Sequence, residues 1–174
     1  MIAIGIDSGL DGAIVVLDGE RNVLLASIVP TEKRASKRHY RLREMRALLV
    51  SAMEAAPGPP VLAVLERTQA RGRGAGRIPM SASTVHSMGV GYGIWQGLLG
   101  GLQIPHETVL PSVWMKAMLH TVPGSGKERS ILVAENTLPG LDLTPGRRRT
   151  NPHDGIADAA VLAIYGLRQM RGAL

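Results

Sequence analysis

Apolar positions along this chain fall into runs whose lengths and periods change from segment to segment. MIAIGID (1–7) and GAIVVLD (12–18) are near-continuous apolar runs, the pattern of strands buried on both faces. Between them, Gly9, Asp11 and Gly12 give a tight hairpin signal. VLLASIV (23–29) predicts a third strand, stopped by Pro30. Over 37–55 (KRHYRLREMRALLVSAMEA), Tyr40, Met45, Leu48, Leu49, Ala52 and Met53 recur near helical spacing and predict a helix. Pro57, Gly58, Pro59 and Pro60 end it. VLAVLE (61–66) is another short buried strand, and 67–80, rich in Arg and Gly without apolar periodicity, is a loop. A Gly-rich helix follows over 83–102, then a strand over 106–110 (HETVL) and a helix opened by Pro111-Ser112 (SVWMKAMLH) and broken by Pro123 to Gly126. Further helices are predicted over 127–138 and roughly 153–171.

Three strands, a helix, a strand, helices, a strand and more helices make an α/β domain. The first three strands are expected to form an antiparallel meander. The later ones follow helices and are expected to run parallel to the first. The prediction is one mixed sheet with helices on both faces. With 174 residues, a single domain over 1–174 is expected, large enough to bury roughly 70% of the unfolded chain's surface.

Within that scaffold four acids are out of place. Asp7 closes the first apolar run, Glu66 closes VLAVLE, and Asp154 and Asp158 stand four apart at the start of the last helix. A carboxylate in a buried strand is costly unless paired, hydrogen-bonded or bound to a cation. Ligands of open α/β sheets bind near the C-terminal ends of strands, where Asp7 and Glu66 fall. Residues four apart share a helix face, so Asp154 and Asp158 can point at one place. Asp7 and Asp154 also have plainer readings. Asp7 can form a turn with Ser8 and Gly9. Asp154 can complement a helix dipole behind a cap at Asn151 and Pro152.

Composition narrows the chemistry. The chain has no Cys, which removes disulfides and thiolate metal sites. Carboxylates with one neighbouring histidine, His153, favour Mg²⁺ or Mn²⁺ over zinc, and two such ions can hydrolyse a phosphodiester. His153 itself is open to three roles: ligand, proton-transfer group or helix cap. The N-terminus has no basic region and meets an acid at position 7, unlike a signal peptide. No apolar run reaches the ~18 residues of a bilayer span. A soluble, cytoplasmic chain is expected.

Lys and Arg number 20 against 14 Asp and Glu, with a sequence pI near 10.3. The cations cluster: seven between Lys33 and Arg46; Arg67, Arg71, Arg73 and Arg77 after Glu66; and Arg147, Arg148 and Arg149 before Asp154. Such clusters are an electrostatic footprint for nucleic acid. For the 33–46 run a solvated surface is an equal alternative. Lys116 and Lys127, near helix ends, suit phosphate contacts. PGSGKE is not a phosphate loop, because Glu128 stands where Ser or Thr would be needed. GVGYG is not a dinucleotide fingerprint, so no nucleotide cofactor is expected.

These residues together resemble RuvC-type Holliday junction resolvases of the phage and prophage branch, within the ribonuclease H-like superfamily. The resemblance runs from GIDSG through VLERTQA, MGVGYGIWQGLLGGLQIPHETVLPSVWMKAML and GKERSILVAENTLP to HDGIADAAVLAIYGL, nearly the whole chain. It implies a five-stranded mixed sheet, a homodimer paired through the Gly-rich helix, and two symmetric nicks across a four-way junction with Mg²⁺ or Mn²⁺. It implies Asp7, Glu66, Asp154 and Asp158 as a tetrad holding two ions, and Lys116 and Lys127 as DNA contacts. The chain also departs from the family. Bacterial host enzymes carry an aromatic wedge soon after the glutamate, whereas Gln69 stands here and the chain has no Phe. The host enzymes often space the last two acids three apart rather than four, which keeps His153 among the alternatives. Other readings are a broader branched-DNA nuclease, an actin-like ATP-binding domain, which also opens with a strand like IGIDSG, and a non-catalytic DNA-binding protein.

Overall fold

Alternation within the apolar runs sorts their side chains onto two faces of one sheet. The computed structural model describes residues 1–55, 58, 60–68, 81–145 and 151–173. In β1 (Ile2–Ile6), Ile2, Ile4 and Ile6 point into one core and Ala3 into the other. β2 (Ala13–Asp18) divides likewise, with Ile14 and Val16 against Ala13, Val15 and Leu17. β3 (Val23–Ile28) completes an antiparallel meander. After a separate two-stranded arm, β4 (Thr31–Arg34) and β5 (Lys37–Tyr40), comes α1 (Leu42–Glu54). β6 (Val61–Glu66) then lies parallel to β1, α2 (Ala82–Gly101) crosses over, and β7 (His106–Val109) pairs parallel to β6. The sheet order is β3-β2-β1-β6-β7. α3 (Pro111–Leu119), α4 (Glu128–Thr137) and α5 (Asp154–Met170) follow.

Two cores result. α1 and α2 cover the isoleucine face through Met45, Leu49, Ala52, Trp95 and Leu99. α3, α4 and α5 cover the other through Trp114, Leu119, Ala134 and most of α5. From Gly155 to Leu167 only Asp158 of α5 is not fully buried, as befits a helix that is apolar all round. The five-stranded mixed sheet with helices on both faces is the architecture anticipated from the sequence. Among the described residues, no helix is long and apolar enough to cross a membrane.

The segment 37–55 corrects one expectation. Lys37–Tyr40 is a strand, not the first turn of a helix, and the helix begins at Leu42. It pairs antiparallel with Thr31–Arg34 across Ala35 and Ser36, with Ala35 in the left-handed region at φ 52°. The physical signal lay in the spacing: Tyr40 stands five residues before Met45 and cannot share its helical stripe. The masking factor was charge, because polar strands carry no apolar alternation for a periodicity argument to find.

α5 rests on β1 without a side chain between them. A Cβ on Gly5 would lie 1.9 Å from the Ala159 carbonyl oxygen and 2.4 Å from the Ala163 nitrogen. Neither backbone atom can yield unless the helix moves. Gly5→Ala should therefore cost about 3 kcal/mol, at the upper end of overpacking effects, and lower Tm by roughly 5–10 °C for a domain of this size. Thermal unfolding followed by circular dichroism measures it, and an unchanged Tm would show that α5 is not seated on β1.

Candidate active site

The β1–β6 register brings the first two acids together. Ile6 pairs with Leu65 in a parallel ladder, so Asp7 and Glu66 leave neighbouring strand ends side by side, where strands lie about 4.8 Å apart. Asp7 is partly buried at the mouth of the β1–β2 hairpin, its N–H bonded to the Ala13 carbonyl at 3.0 Å. Its Oδ1 accepts the Gly9 N–H at 3.1 Å, so Asp7 does form the local turn considered above. Among the described residues, none donates a hydrogen bond to its Oδ2. Turn formation therefore occupies one oxygen and leaves the other to the site.

Glu66 is held from a different element. The Trp114 indole, on α3, donates to its Oε2 at 2.9 Å, and Trp114 is itself buried. Sequence reasoning missed this residue. The only signal was a Trp in a helix beginning at the C-terminal end of a strand, because a buried indole N–H needs an acceptor.

α5 supplies the second pair of acids. The helix begins at Asp154, one position later than expected, and its N-cap is His153, not Asn151. The backbone does the capping there: the His153 carbonyl accepts from Ile156 and Ala157, each at 3.1 Å, and its N–H donates to Leu143 at 2.7 Å. The His153 side chain makes no cap bond and is buried. It lies against Gly155, where a Cβ would stand 3.1 Å from its Cε1 and 2.3 Å from the Asp11 carbonyl oxygen. Gly155 thus lets the α5 N-terminus approach the 8–12 turn. Asp154 lies in the first turn of the helix and Asp158 one turn on.

Electrostatics ties the group together. Burial pushes Asp7 up from 3.8 to about 6, against the Gly9 hydrogen bond, and the Asp158 charge adds to the rise. Asp158 is raised by burial too, offset by a hydrogen bond from Ser130, itself buried, and by Lys127. Lys127, the N-cap residue of α4, forms an ion pair with Asp154. Among the described residues, Lys127 is thus the cation shared by Asp7, Asp154 and Asp158. Lys116 projects from the last turn of α3 and is exposed, two residues beyond Trp114. Arg67 is exposed just past β6, its N–H bonded to the Val109 carbonyl at 2.8 Å. Arg71, Arg73, Arg77, Gln69 and Arg147 to Arg149 lie outside the described residues.

The donor set of the four carboxylates is all oxygen, and that suits a hard divalent cation. Among the described residues, however, no three His, Cys, Asp or Glu side chains stand close enough to form a ready-made ligand set. The carboxylates fit such an ion by chemistry and by place, and they would have to draw in around it.

No protein-family model matches the chain, and no curated protein matches it by sequence. Solved structures do match its fold. A Thermus thermophilus RuvC in complex with a Holliday junction substrate superposes with a TM-score of 0.64 at 17% identity, over 99% of this chain and 97% of that one. A second Thermus thermophilus RuvC structure superposes with a TM-score of 0.53 at 17% identity, over 99% and 98% of the two chains. The fold is therefore ribonuclease H-like, of the RuvC kind.

Asp7 titrates near 3.8 in the unfolded chain and near 6 in the fold. Its ionisation therefore removes stability progressively as pH rises from about 4 to about 6, and the full penalty persists above that range. A shift of this size corresponds to about 2–3 kcal/mol before solvent screening. Asp7→Asn keeps the acceptor for Gly9 and removes the charge. In chelator near neutral pH it should be about 2 kcal/mol more stable than wild type, with the difference vanishing near pH 4. Urea unfolding across that pH range checks it. Equal stabilities at neutral pH would mean that Asp7 carries no such strain.

Proposed function

We propose that this chain is a Mg²⁺- or Mn²⁺-dependent DNA endonuclease that resolves four-way (Holliday) junctions by paired symmetric nicks. The observation that carries this reading is the gathering of Asp7, Glu66, Asp154, Asp158 and Lys127 at one end of the sheet. The fold match to a RuvC bound to a Holliday junction, over 99% of this chain, supports the choice of substrate.

Asp7, Glu66, Asp154 and Asp158 would hold two divalent ions, which would supply Lewis-acid activation of water and charge stabilisation at the leaving oxygen. Glu66 meets that task pre-oriented, because the Trp114 indole holds its Oε2. Lys127 has a double part. It neutralises Asp154 in the unloaded protein, and once Asp154 is otherwise engaged its ammonium can turn to a phosphate oxygen. Ser130 steadies Asp158 from the buried side. Water attacks phosphorus in line, the bond to the 3′ oxygen breaks, and 5′-phosphate and 3′-hydroxyl ends result. His153, buried behind Gly155, fits a packing and capping position better than a ligand.

Arg67, Arg71, Arg73 and Arg77, with Lys116, are proposed to contact the DNA backbone around the acids. A homodimer would place two such sites across a junction. α2 is the natural face for it: a Cβ on Gly89, Gly93, Gly97, Gly100 or Gly101 would meet nothing within 4 Å, and Val85 is exposed. The pathway served would be recombination, repair or phage DNA processing in a bacterial or phage-infected cytoplasm.

Labelled four-way, three-way and linear duplex DNA, each with Mg²⁺, Mn²⁺ or chelator, test the reading. Symmetric nicks in the four-way substrate only with metal are expected. Equal nicking of the four-way and three-way substrates with the linear duplex spared would favour the broader branched-DNA nuclease. Asp7→Asn should abolish nicking and spare junction binding; cleavage by this variant at the wild-type rate would falsify the site assignment. Trp114→Phe removes the donor to Glu66 while keeping an aromatic ring in the core, and should slow nicking about 10- to 100-fold, as loss of a partner that orients a ligand typically does. An unchanged single-turnover rate would mean that Glu66 needs no such anchor.

A further inference from the structure

Beside the acids lies a groove of about 940 Å³ between the β4–β5 arm and the N-terminal half of α2. Arg34, Lys37, Arg38, Arg41 and Arg43 line it against only Glu32 and Glu44, a formal surplus of three positive charges. Apolar side chains line it as well: Leu10, Leu42, Val90 and Ile94, of which Leu42 is 54% and Val90 39% exposed. Exposed apolar side chains grouped with a cationic cluster in one groove mark a binding surface more than a solvated face. A sugar–phosphate backbone presents the matching surface, with anionic oxygens outside and deoxyribose carbons beneath.

The arm is fastened to the acidic site. An isolated two-stranded hairpin is marginal in water. This one is anchored to the 8–12 turn that follows Asp7. Arg38 pairs with Asp11 at 2.8 Å, and the Tyr40 hydroxyl donates to the Ser8 carbonyl at 3.2 Å. α2 closes on the same spot: a Cβ on Gly91 would lie 2.2 Å from the Tyr40 oxygen and 2.5 Å from the Ser8 oxygen. Three of the arm's cations spend their charge locally, Arg34 on Glu32, Arg38 on Asp11 and Arg41 on Glu44. Among the described residues, Lys33, Lys37 and Arg43 have no carboxylate within 4.0 Å, so their charge is available to a ligand.

We propose that the β4–β5 arm and the first half of α2 form a second DNA-contact surface, which grips the sugar–phosphate backbone of the duplex arm leading to the acids. The choice of DNA rests on the nuclease reading above; the anionic, ribose-backed ligand rests on the groove itself. Leu10 and the turn tie the groove to the site, so a backbone held there stays in register with Asp7.

The test is binding of a labelled four-way junction, a linear duplex and a single strand of equal length to the full chain in chelator, over a range of salt. Lys33→Ala/Lys37→Ala/Arg43→Ala removes three unpaired cations and breaks no ion pair. It should bind junction and duplex at least about tenfold more weakly near 0.15 M salt, and the slope of log affinity against log salt should fall by about 2–3. Lys37→Glu alone should move both quantities the same way, which guards against misfolding of the triple variant. Arg168→Ala, at the far end of α5 and about 21 Å along the helix from Asp154, should leave both unchanged. Wild-type affinity and slope in the triple variant, or a loss confined to the single strand, would overturn the proposal. Because the assay contains no metal, it is independent of cleavage. Loss of duplex binding in a protein that nicks no branched DNA would sink the nuclease reading and keep the groove; normal nicking with unaltered binding would do the reverse.

Discussion

The contact between Gly5 and the backbone of Ala159 is the constraint on which the site depends. With no side chain between strand and helix, α5 lies as close to β1 as main chain permits. Asp7 is two residues beyond Gly5, and Asp158 is one before Ala159, so the contact sets the distance between two carboxylates on different elements. Gly155 repeats the device at the helix N-terminus, where it seats Asp154 beside the 8–12 turn. A helix buried on nearly all sides cannot roll to relieve the repulsion. The core fixes the acids where solvent alone would let them separate.

That rigidity explains why the charges are unsettled. Asp7 is pushed to about 6 chiefly by burial, and Asp158 is raised for the same reason. Among the described residues, Lys127 is the cation that acts on both, and it is paired with Asp154. A site like this stores electrostatic strain that a cation relieves, a pattern found at functional centres more often than at structural ones. Around it the surface is cationic, in the arm, beside Glu66 and near Lys127. Under the proposed function the two signs would serve one polyanionic ligand, with the acids for the reacting group and the bases for the flanking backbone.

Several features could be read without coordinates because they are local. Continuous apolar runs at 1–7, 12–18 and 61–66 meant buried strands, and acids closing two of them meant strand-end carboxylates. The four-residue spacing of Asp154 and Asp158 meant one helix face. The β4–β5 arm escaped because its residues are charged and lack alternation, so a helix was extended backwards through Lys37 to Tyr40. The cap at His153 escaped because side-chain preferences favour Asn151, whereas the helix is capped by backbone bonds that packing against Leu143 and Gly155 decides.

The sequence by itself determined the apolar strands, most of the helices, the strand-end acids and the cationic excess, because each depends on periodicity or composition within a few residues. Only the tertiary structure decided which of these meet. Strand register set Asp7 beside Glu66, and glycine contacts set α5 against β1. Trp114 reached Glu66 across 48 positions of chain, and Tyr40 reached the Ser8 carbonyl across 32. Such pairings are products of packing between distant segments, and no local pattern encodes them. The four acids are legible one by one in the chain; their becoming a single strained site, with a basic arm fastened to its rim, is a property of the fold.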